Sequence, residues 1–570
     1  MTDLLDPLVL FERHLELLES AMAANRNRTA LTPFVESPSR KHHPPGAHAA
    51  GKAAFESRLN QDFELDLPGR CGWVGSEVSP FSGASLGVRY PKVSVPELLA
   101  AVEPASLSWA EAPPRARVGV CLEILHRLSQ ATFENAYATM HTAGQGFLLA
   151  FAGSGASSLD RGLEALAMAW QAMSQVPEHA VFSRRFGRGP EVVLDKSYHL
   201  APVGVAAVVA CGSYPAWNAW PALMANLATG NPVVLKPHPG GVLPVAIAAE
   251  IGREVLRATG FSPNVITLLV DEPAAPATQE LLLHPAVRIV DFTGSQRFGS
   301  WIESSCRDKQ VYTETSGCNA VVLESVSDLD AVLDAVAQSL CMFSAQMCTA
   351  AQNIWLSAEG VETPQGRVGV AEVCRRLQEA VERLLQQPEH ALGLCGTIQN
   401  PSVIEDIAAL RSQALSAGLE LVCDSRALQV DEWPQARTAT PLVVRCQHND
   451  RGLFGREHFG PMAFVIVAPT ADAALAGATR DSREHGSIAC YAYAQSAERQ
   501  AQIARAFVRA GASVGINLLR QRPINFTAAF SDFHVTGLNP AGTATLSDLA
   551  FVARRFHVVQ VKTERPADLG

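Results

Sequence analysis

The side chains best suited to covalent chemistry are a thiol and a carboxylate standing 34 positions apart. Cys348 lies in Ser344-Ala345-Gln346-Met347-Cys348-Thr349, and Glu314 in Thr313-Glu314-Thr315-Ser316-Gly317. A thiolate nucleophile with a carboxylate base is a coherent pair for covalent catalysis. The chain has 12 cysteines, and a small buried hydrophobe is the ordinary role of each. Residue type alone therefore does not select Cys348. Two other segments could hold an anionic ligand. Lys236 ends the β-branched run Pro232–Leu235, where its ammonium could reach hydroxyls or a phosphate, or simply be a solvated strand end. Phe292-Thr293-Gly294-Ser295-Gln296-Arg297-Phe298-Gly299 reads as strand, Gly-Ser turn and helix start, a geometry whose free N–H groups favour an anion. Its glycines, Gly294 and Gly299, are spaced G-x4-G rather than G-x-G-x-x-G, so the motif is weak by itself.

These residues need a scaffold. From about residue 71 helical stretches alternate with all-apolar runs, among them Val205–Val209, Pro232–Leu235, Val265–Val270 and Val287–Phe292. Such alternation predicts an α/β fold with a parallel sheet covered on both faces, whose ligands bind beyond the carboxyl ends of the strands. Glu191–Leu194, Asp195-Lys196 and Ser197–Leu200 read as a hairpin with a tight turn at Asp195-Lys196. With the strand His557–Lys562 it offers an edge for pairing with another subunit. Near the N-terminus Leu4, Leu8, Phe11, Leu15, Leu18 and Met22 make one apolar stripe of a helix docked on the main body. Residues 33–51 read as an irregular connection.

Composition narrows the function. Of 570 residues 48% are hydrophobic and 18% charged, below the roughly 25% of average chains, which excludes global disorder. A net charge of −10 argues against a free-standing nucleic-acid binder. The longest run without Asp, Glu, Lys or Arg, Ser197 to Leu235, contains Pro202, Gly204, Gly212, Pro215, Pro221, Gly230 and Pro232. It cannot be a single membrane helix and reads as strand, turn, buried helix and strand. Asp3, Asp6, Glu12, Glu16 and Glu19 interrupt any signal peptide, so a cytoplasmic protein without membrane partners is expected. With no Cys-x-x-Cys or His-Glu-x-x-His pattern, neither a disulfide framework nor a metal site is expected.

Taken in order, Pro202-Val203-Gly204-Val205, Val234-Leu235-Lys236-Pro237, Phe292-Thr293-Gly294-Ser295, Glu314, Gln346-Met347-Cys348 and Glu457-His458-Phe459-Gly460-Pro461 resemble the aldehyde dehydrogenase superfamily over roughly residues 71 to 565. Trp109, Arg115 and, loosely, His141-Thr142-Ala143-Gly144 fit the same pattern. The resemblance implies a Rossmann-type NAD(P)-binding domain, 71–313, with the hairpin 184–201 projecting for oligomerisation. It further implies a catalytic α/β domain, 314–515, and a C-terminal return, 516–570, with the oligomerisation strand 557–562; residues 1–70 form a helical extension. It also implies roles. Cys348 attacks an aldehyde, its sulfur activated by a helix N-terminus and the cationic nicotinamide. Glu314 activates the water that hydrolyses the resulting thioester. Lys236 binds adenosine ribose, the Thr293-Gly294-Ser295 turn and Gly299 the pyrophosphate, Glu457 the nicotinamide ribose, and Phe459 packs beside the nicotinamide. A homodimer or homotetramer is implied as well.

The sequence departs from the family pattern at three places. The oxyanion-hole asparagine of the family falls on Ser213, 23 positions before Lys236, with Asn218 as a candidate substitute. NAD-preferring members often carry Glu where this chain has Pro239, so NADP is tolerated or preferred and His238 with Lys236 could favour its 2′-phosphate. Glu314-Thr315-Ser316-Gly317-Cys318 replaces Glu-Leu-Gly-Gly-Lys. Within the superfamily the chain most resembles the phenylacetic acid degradation protein PaaN group, which implies oxidation of a ring-opened, CoA-linked semialdehyde in aromatic catabolism. A CoA-acylating aldehyde dehydrogenase and a catalytically silent cofactor-binding homologue are the alternatives. Met342, Phe343 and Met347 imply an apolar entrance beside the nucleophile.

Overall fold

The computed structural model describes residues 4–217, 219–315, 317–519, 538–543 and 549–565. The apolar runs near the cofactor-type motifs form a five-stranded parallel sheet in the order Ile266–Leu268, Val233–Lys236, Val205–Val209, Val287–Gly294, Gln310–Thr315. Both faces are helix-covered, so the apolar residues of these strands are buried almost throughout. The uncharged run Ser197–Leu235 resolves as expected. It supplies the end of the long strand Glu191–Pro202, the strand Val205–Val209, the fully buried helix Ala219–Ala228 and most of the strand ending at Lys236.

A second, seven-stranded sheet has the order Glu420–Cys423, Leu442–Gln447, Met462–Ala468, Asn353–Ser357, Ala320–Leu323, Cys490–Tyr493, Val514–Ile516. All neighbours are parallel except the first pair. Glu314 stands on the edge strand of the first sheet, and the second begins only at Ala320, so the change of sheet falls beyond residue 314.

The hairpin differs from the expectation. Asp195-Lys196 is not a turn: Glu191–Pro202 is one continuous strand, and the reversal lies at Phe186–Pro190, where Gly187 takes φ +61°. Asp195 and Lys196 remain extended because both flanks of that strand are paired. Its neighbours are His179–Arg185 and Phe556–Glu564, and Lys196 covers the Phe182 ring while Arg565 holds Asp195. The two expected edges thus pair with each other within one chain.

The N-terminal stripe forms two helices, Pro7–Arg13 and Leu15–Asn27, broken at His14. Leu10, Phe11, Leu18 and Ala21 are buried, whereas Leu4 and Leu8 are exposed. A third helix, Ala47–Arg58, begins inside the stretch read as irregular. Phe11, Leu18 and Phe55 belong to the same core as the first sheet, as do Phe551, Val552 and Phe556 of the C-terminal return. That return is fastened by Arg555, which is wholly buried. It forks onto both oxygens of Asp291 (2.6 and 2.8 Å) and lies over the rings of Tyr312 and Phe551. Among the described residues no helix is long and apolar enough to cross a membrane.

Candidate active site

A cleft of about 790 Å³ opens between the carboxyl ends of the first sheet and the second unit. Ser213, Lys236, His238, Thr293, Gly294, Ser295, Glu314, Cys348, Glu457 and Phe459 all line it, although they span 247 positions of sequence from first to last counted inclusively. Gly299 does not. It lies inside the helix Gln296–Ser305, where a Cβ would meet Thr315 Cγ2 at 2.9 Å, so its smallness serves helix-on-strand packing. Asn218 lies outside the described residues.

Cys348 follows a turn, not a helix start. The helix Leu329–Cys341 ends in a short tight coil, Met342–Ala345, and the next element is the strand Asn353–Ser357. Among the described residues Cys348 therefore does not open a helix, because the chain passes there from the helix Leu329–Cys341 into the strand Asn353–Ser357. The coil is strained: Phe343, Ser344 and Ala345 take φ of 48°, 47° and 51°, the left-handed region that non-glycine residues avoid. Buried side chains hold it there. Ser344 Oγ reaches the carbonyls of Cys395 and Ala439. Gln346 donates from Nε2 to the carbonyls of Phe343 (3.1 Å) and Thr397 (2.9 Å), and its Oε1 accepts from Gln399 N (2.9 Å). Asn319 donates to the carbonyls of Cys348 (2.7 Å) and Ala350 (2.9 Å) while accepting from Ile488 and Ala489. Cys348 is thereby braced from both sides. Of the residues expected to form an apolar entrance, Met347 lines the cleft, but Met342 and Phe343 are buried behind it.

Glu314 comes from the end of its strand and is buried. Residues 541–543 run along that strand: Thr315 N donates to Ala541 O, Thr543 N to Thr313 O, and a Cβ on Gly542 would meet Thr313 O at 2.2 Å. Glycine at 542 is thus required for this close approach.

The turn carrying Ser213 is fixed through its main chain. Gln145, fully buried, donates from Nε2 to Ser213 O at 2.8 Å, and its Oε1 accepts from Ser154 Oγ. Burial pushes the thiol of the neighbouring Cys211 up to about 12, with the charges of Cys348 and Glu314 adding to the effect.

Lys236 is less free than its motif implies. Its Nζ donates to Asp271 Oδ1 and to Pro237 O, both at 2.7 Å, and both side chains of the ion pair are almost fully buried. Burial lowers the lysine's pKa and Asp271 opposes that. Beyond it, the strand Val287–Gly294 passes through Ser295, the N-cap of the next helix, as expected. The loop with Glu457 and Phe459 hangs on Gln352, whose Oε1 accepts from His458 N (2.7 Å) and whose Nε2 donates to Arg456 O (2.9 Å). The bracing roles of Gln145, Asp271, Asn319, Gln346 and Gln352 were not legible in the sequence, although Gln346 stands in the motif Gln346-Met347-Cys348. Each acts on backbone or charge remote in sequence, and only their burial marks them.

Fold and cleft together define a two-unit α/β enzyme with a thiol and a carboxylate set between a nucleotide-type sheet and a second parallel sheet. Residues 78–539 match the profile of the Aldehyde dehydrogenase family, and the chain belongs to that family. It is similar to a crystal structure of NAD-dependent aldehyde dehydrogenase from Burkholderia multivorans, with 42% identity and a TM-score of 0.95 over 98% of this chain and 99% of that one. It is also similar to 2-aminomuconic 6-semialdehyde dehydrogenase of Pseudomonas sp, 30% identical over 46% of this chain and 52% of that protein. Vanillin dehydrogenase of Pseudomonas fluorescens is 27% identical over 48% and 54%. The matched region spans about half the length of these curated relatives.

Proposed function

We propose that the protein oxidises an aldehyde to a carboxylic acid with NAD or NADP, through a covalent intermediate on Cys348. The observation that carries this reading is the meeting of Cys348 and Glu314 in one cleft with Lys236 and the Thr293-Gly294-Ser295 turn. Cys348 as thiolate adds to the aldehyde carbon, giving a thiohemiacetal whose oxygen faces the Ser213 turn. A nicotinamide cofactor, held by Lys236, the Thr293-Gly294-Ser295 turn and Glu457, would supply the acceptor for the hydride lost as this adduct becomes a thioester. Glu314 then removes a proton from water, which attacks the thioester carbonyl and expels the Cys348 thiolate. A serine hydroxyl reaches less far than an amide, and loss of one oxyanion donor costs about 10²–10³ in rate in a studied protease, so this step is slower than with asparagine.

The donor set fits a dinucleotide. Strand ends, an N-capped helix and a lysine converge where a pyrophosphate and a ribose would lie. Lys236 is neutralised by Asp271, and Pro239 adds no carboxylate beside it. This corner neither repels nor strongly attracts a 2′-phosphate, so both cofactors are accepted.

The substrate we propose is a ring-opened, CoA-linked semialdehyde of aromatic catabolism, as the PaaN-like features imply. A relative whose named substrate is a semialdehyde supports this choice. We also propose a homodimer or homotetramer, since Val181, Val558, Val559 and Val561 leave apolar surface on the three-stranded sheet. A panel of simple aldehydes and CoA-linked semialdehydes, with each cofactor and with or without free CoA, tests the reading. Reduction of cofactor independent of free CoA, with carboxylate as product, is expected. Strict dependence on free CoA would transfer the assignment to CoA acylation, and cofactor binding without oxidation of any aldehyde would mark a silent homologue.

A further inference from the structure

A second cavity, about 590 Å³, lies apart from the catalytic cleft, between the helix Ala47–Arg58 and the segment around Trp433. Its size falls in the range of small-molecule sites. We propose that it is a binding site for a small aromatic cation. The inner wall is built of rings. His141 lies flat on Phe55, centroids 5.1 Å apart and planes within 8°, and Trp433 stands edge-on to the same imidazole at 5.8 Å. Phe55 is buried while Trp433 is half-buried, so the indole can meet a guest.

The protonation of His141 follows from its neighbours. Ser79 Oγ accepts from the main-chain N–H groups of Phe81 and Ser82, so its single proton is donated to His141 Nδ1 at 2.9 Å. The imidazole then carries its proton on Nε2 and is neutral. Burial, with the Lys52 charge, lowers its pKa to about 4, and the ring adds no positive charge near pH 7.

The rim is acidic. Among the residues that line it, three carboxylates, Glu56, Glu389 and Glu432, stand against one ammonium, Lys52, which pairs with Glu56 at 3.7 Å, so the lining carries net negative charge. Ring faces attract cations, and carboxylates at the mouth favour the same sign while repelling an aromatic acid. Charge and shape therefore select an aromatic ring bearing an ammonium group.

Isothermal titration calorimetry with benzyltrimethylammonium tests this, using cofactor-saturated protein whose Cys348 has been alkylated to close the catalytic cleft. One site per chain with Kd below about 1 mM is expected. Phenylacetate should bind at least about tenfold more weakly, and Glu389→Gln with Glu432→Gln should weaken the cation about tenfold while leaving aldehyde oxidation by unalkylated protein intact. Trp433→Leu should weaken it further. Absence of saturable heat, equal binding of phenylacetate, or an unchanged Kd in the double variant would each overturn the assignment. None of these results depends on which aldehyde the enzyme oxidises.

Discussion

Gln346→Leu probes how Cys348 is held. The change keeps the side chain's approximate volume but deletes both Nε2 donors and the Oε1 acceptor. Buried Thr397 O and part-buried Gln399 N then lose their partners, while Phe343 O keeps only its bond from the main-chain N–H of residue 346 (3.0 Å). At about 1–3 kcal/mol for each of these two groups left unpaired, the loss is about 2–6 kcal/mol. The three residues before Gln346, with φ near +50°, store about 3–6 kcal/mol at about 1–2 kcal/mol each. The loss therefore matches the strain it restrains, and the coil should relax toward ordinary backbone. Cys348 lies only two positions further on. A shift of about 1 Å at a reacting atom costs on the order of 10²-fold in rate. We expect kcat/KM for aldehyde oxidation to fall about 100-fold and the rate of Cys348 alkylation by iodoacetamide to change in parallel, in protein that still unfolds cooperatively. A folded Gln346→Leu enzyme with wild-type oxidation and alkylation rates would refute the bracing argument.

Other outcomes follow from the same geometry. Glu314→Gln should release one equivalent of reduced cofactor per Cys348 in a burst and then stall, since thioester formation survives and hydrolysis does not; stopped-flow absorbance reads this directly. Glu77 is buried, accepts from Tyr90 Oη and from Val242 and Leu243 N at the start of the helix Leu243–Ala258, and has its pKa raised by burial from 4.5 to about 7. Between those values the native chain holds more protons than the unfolded one. Stability should therefore fall as pH rises from 4.5 to 7, by about 3 kcal/mol from this group, and Glu77→Gln should flatten that slope in urea titrations. Arg555→Met leaves Asp291 buried without its cation and should cost about 3–5 kcal/mol of stability, read by urea unfolding. Comparison of kcat/KM for the two cofactors should give values within about tenfold of each other, and a large NAD preference would contradict the neutral corner at Lys236 and Pro239.

Much of the architecture was legible in the chain itself. Strand-like runs alternating with helices announced the parallel sheet, and the glycines and prolines of Ser197–Leu235 excluded a membrane helix before any coordinates. The order of short motifs pointed to ten of the residues that line the cleft, but not to the helix Ser402–Ser416, whose Ser402, Val403, Asp406, Leu410 and Gln413 line it too. These features are legible because periodicity, turn chemistry and motif order are local properties of the sequence. What the sequence misplaced is equally instructive. The β-turn chemistry of Asp195-Lys196 was overridden by pairing on both flanks, and the reversal moved to the Gly187-containing loop. The helix N-terminus expected at Cys348 gave way to a strained coil, because the topology leads from helix to strand there. The supports of the site escaped notice altogether. Gln145 meets Ser213 across 68 positions and Lys236 meets Asp271 across 35, and no propensity or spacing rule encodes such a contact. The sequence by itself determined most of the elements and the side chains proposed to react. Tertiary packing alone decided which buried amides and carboxylates hold them in place, because burial removes water and makes each of those polar groups find its partner within the protein.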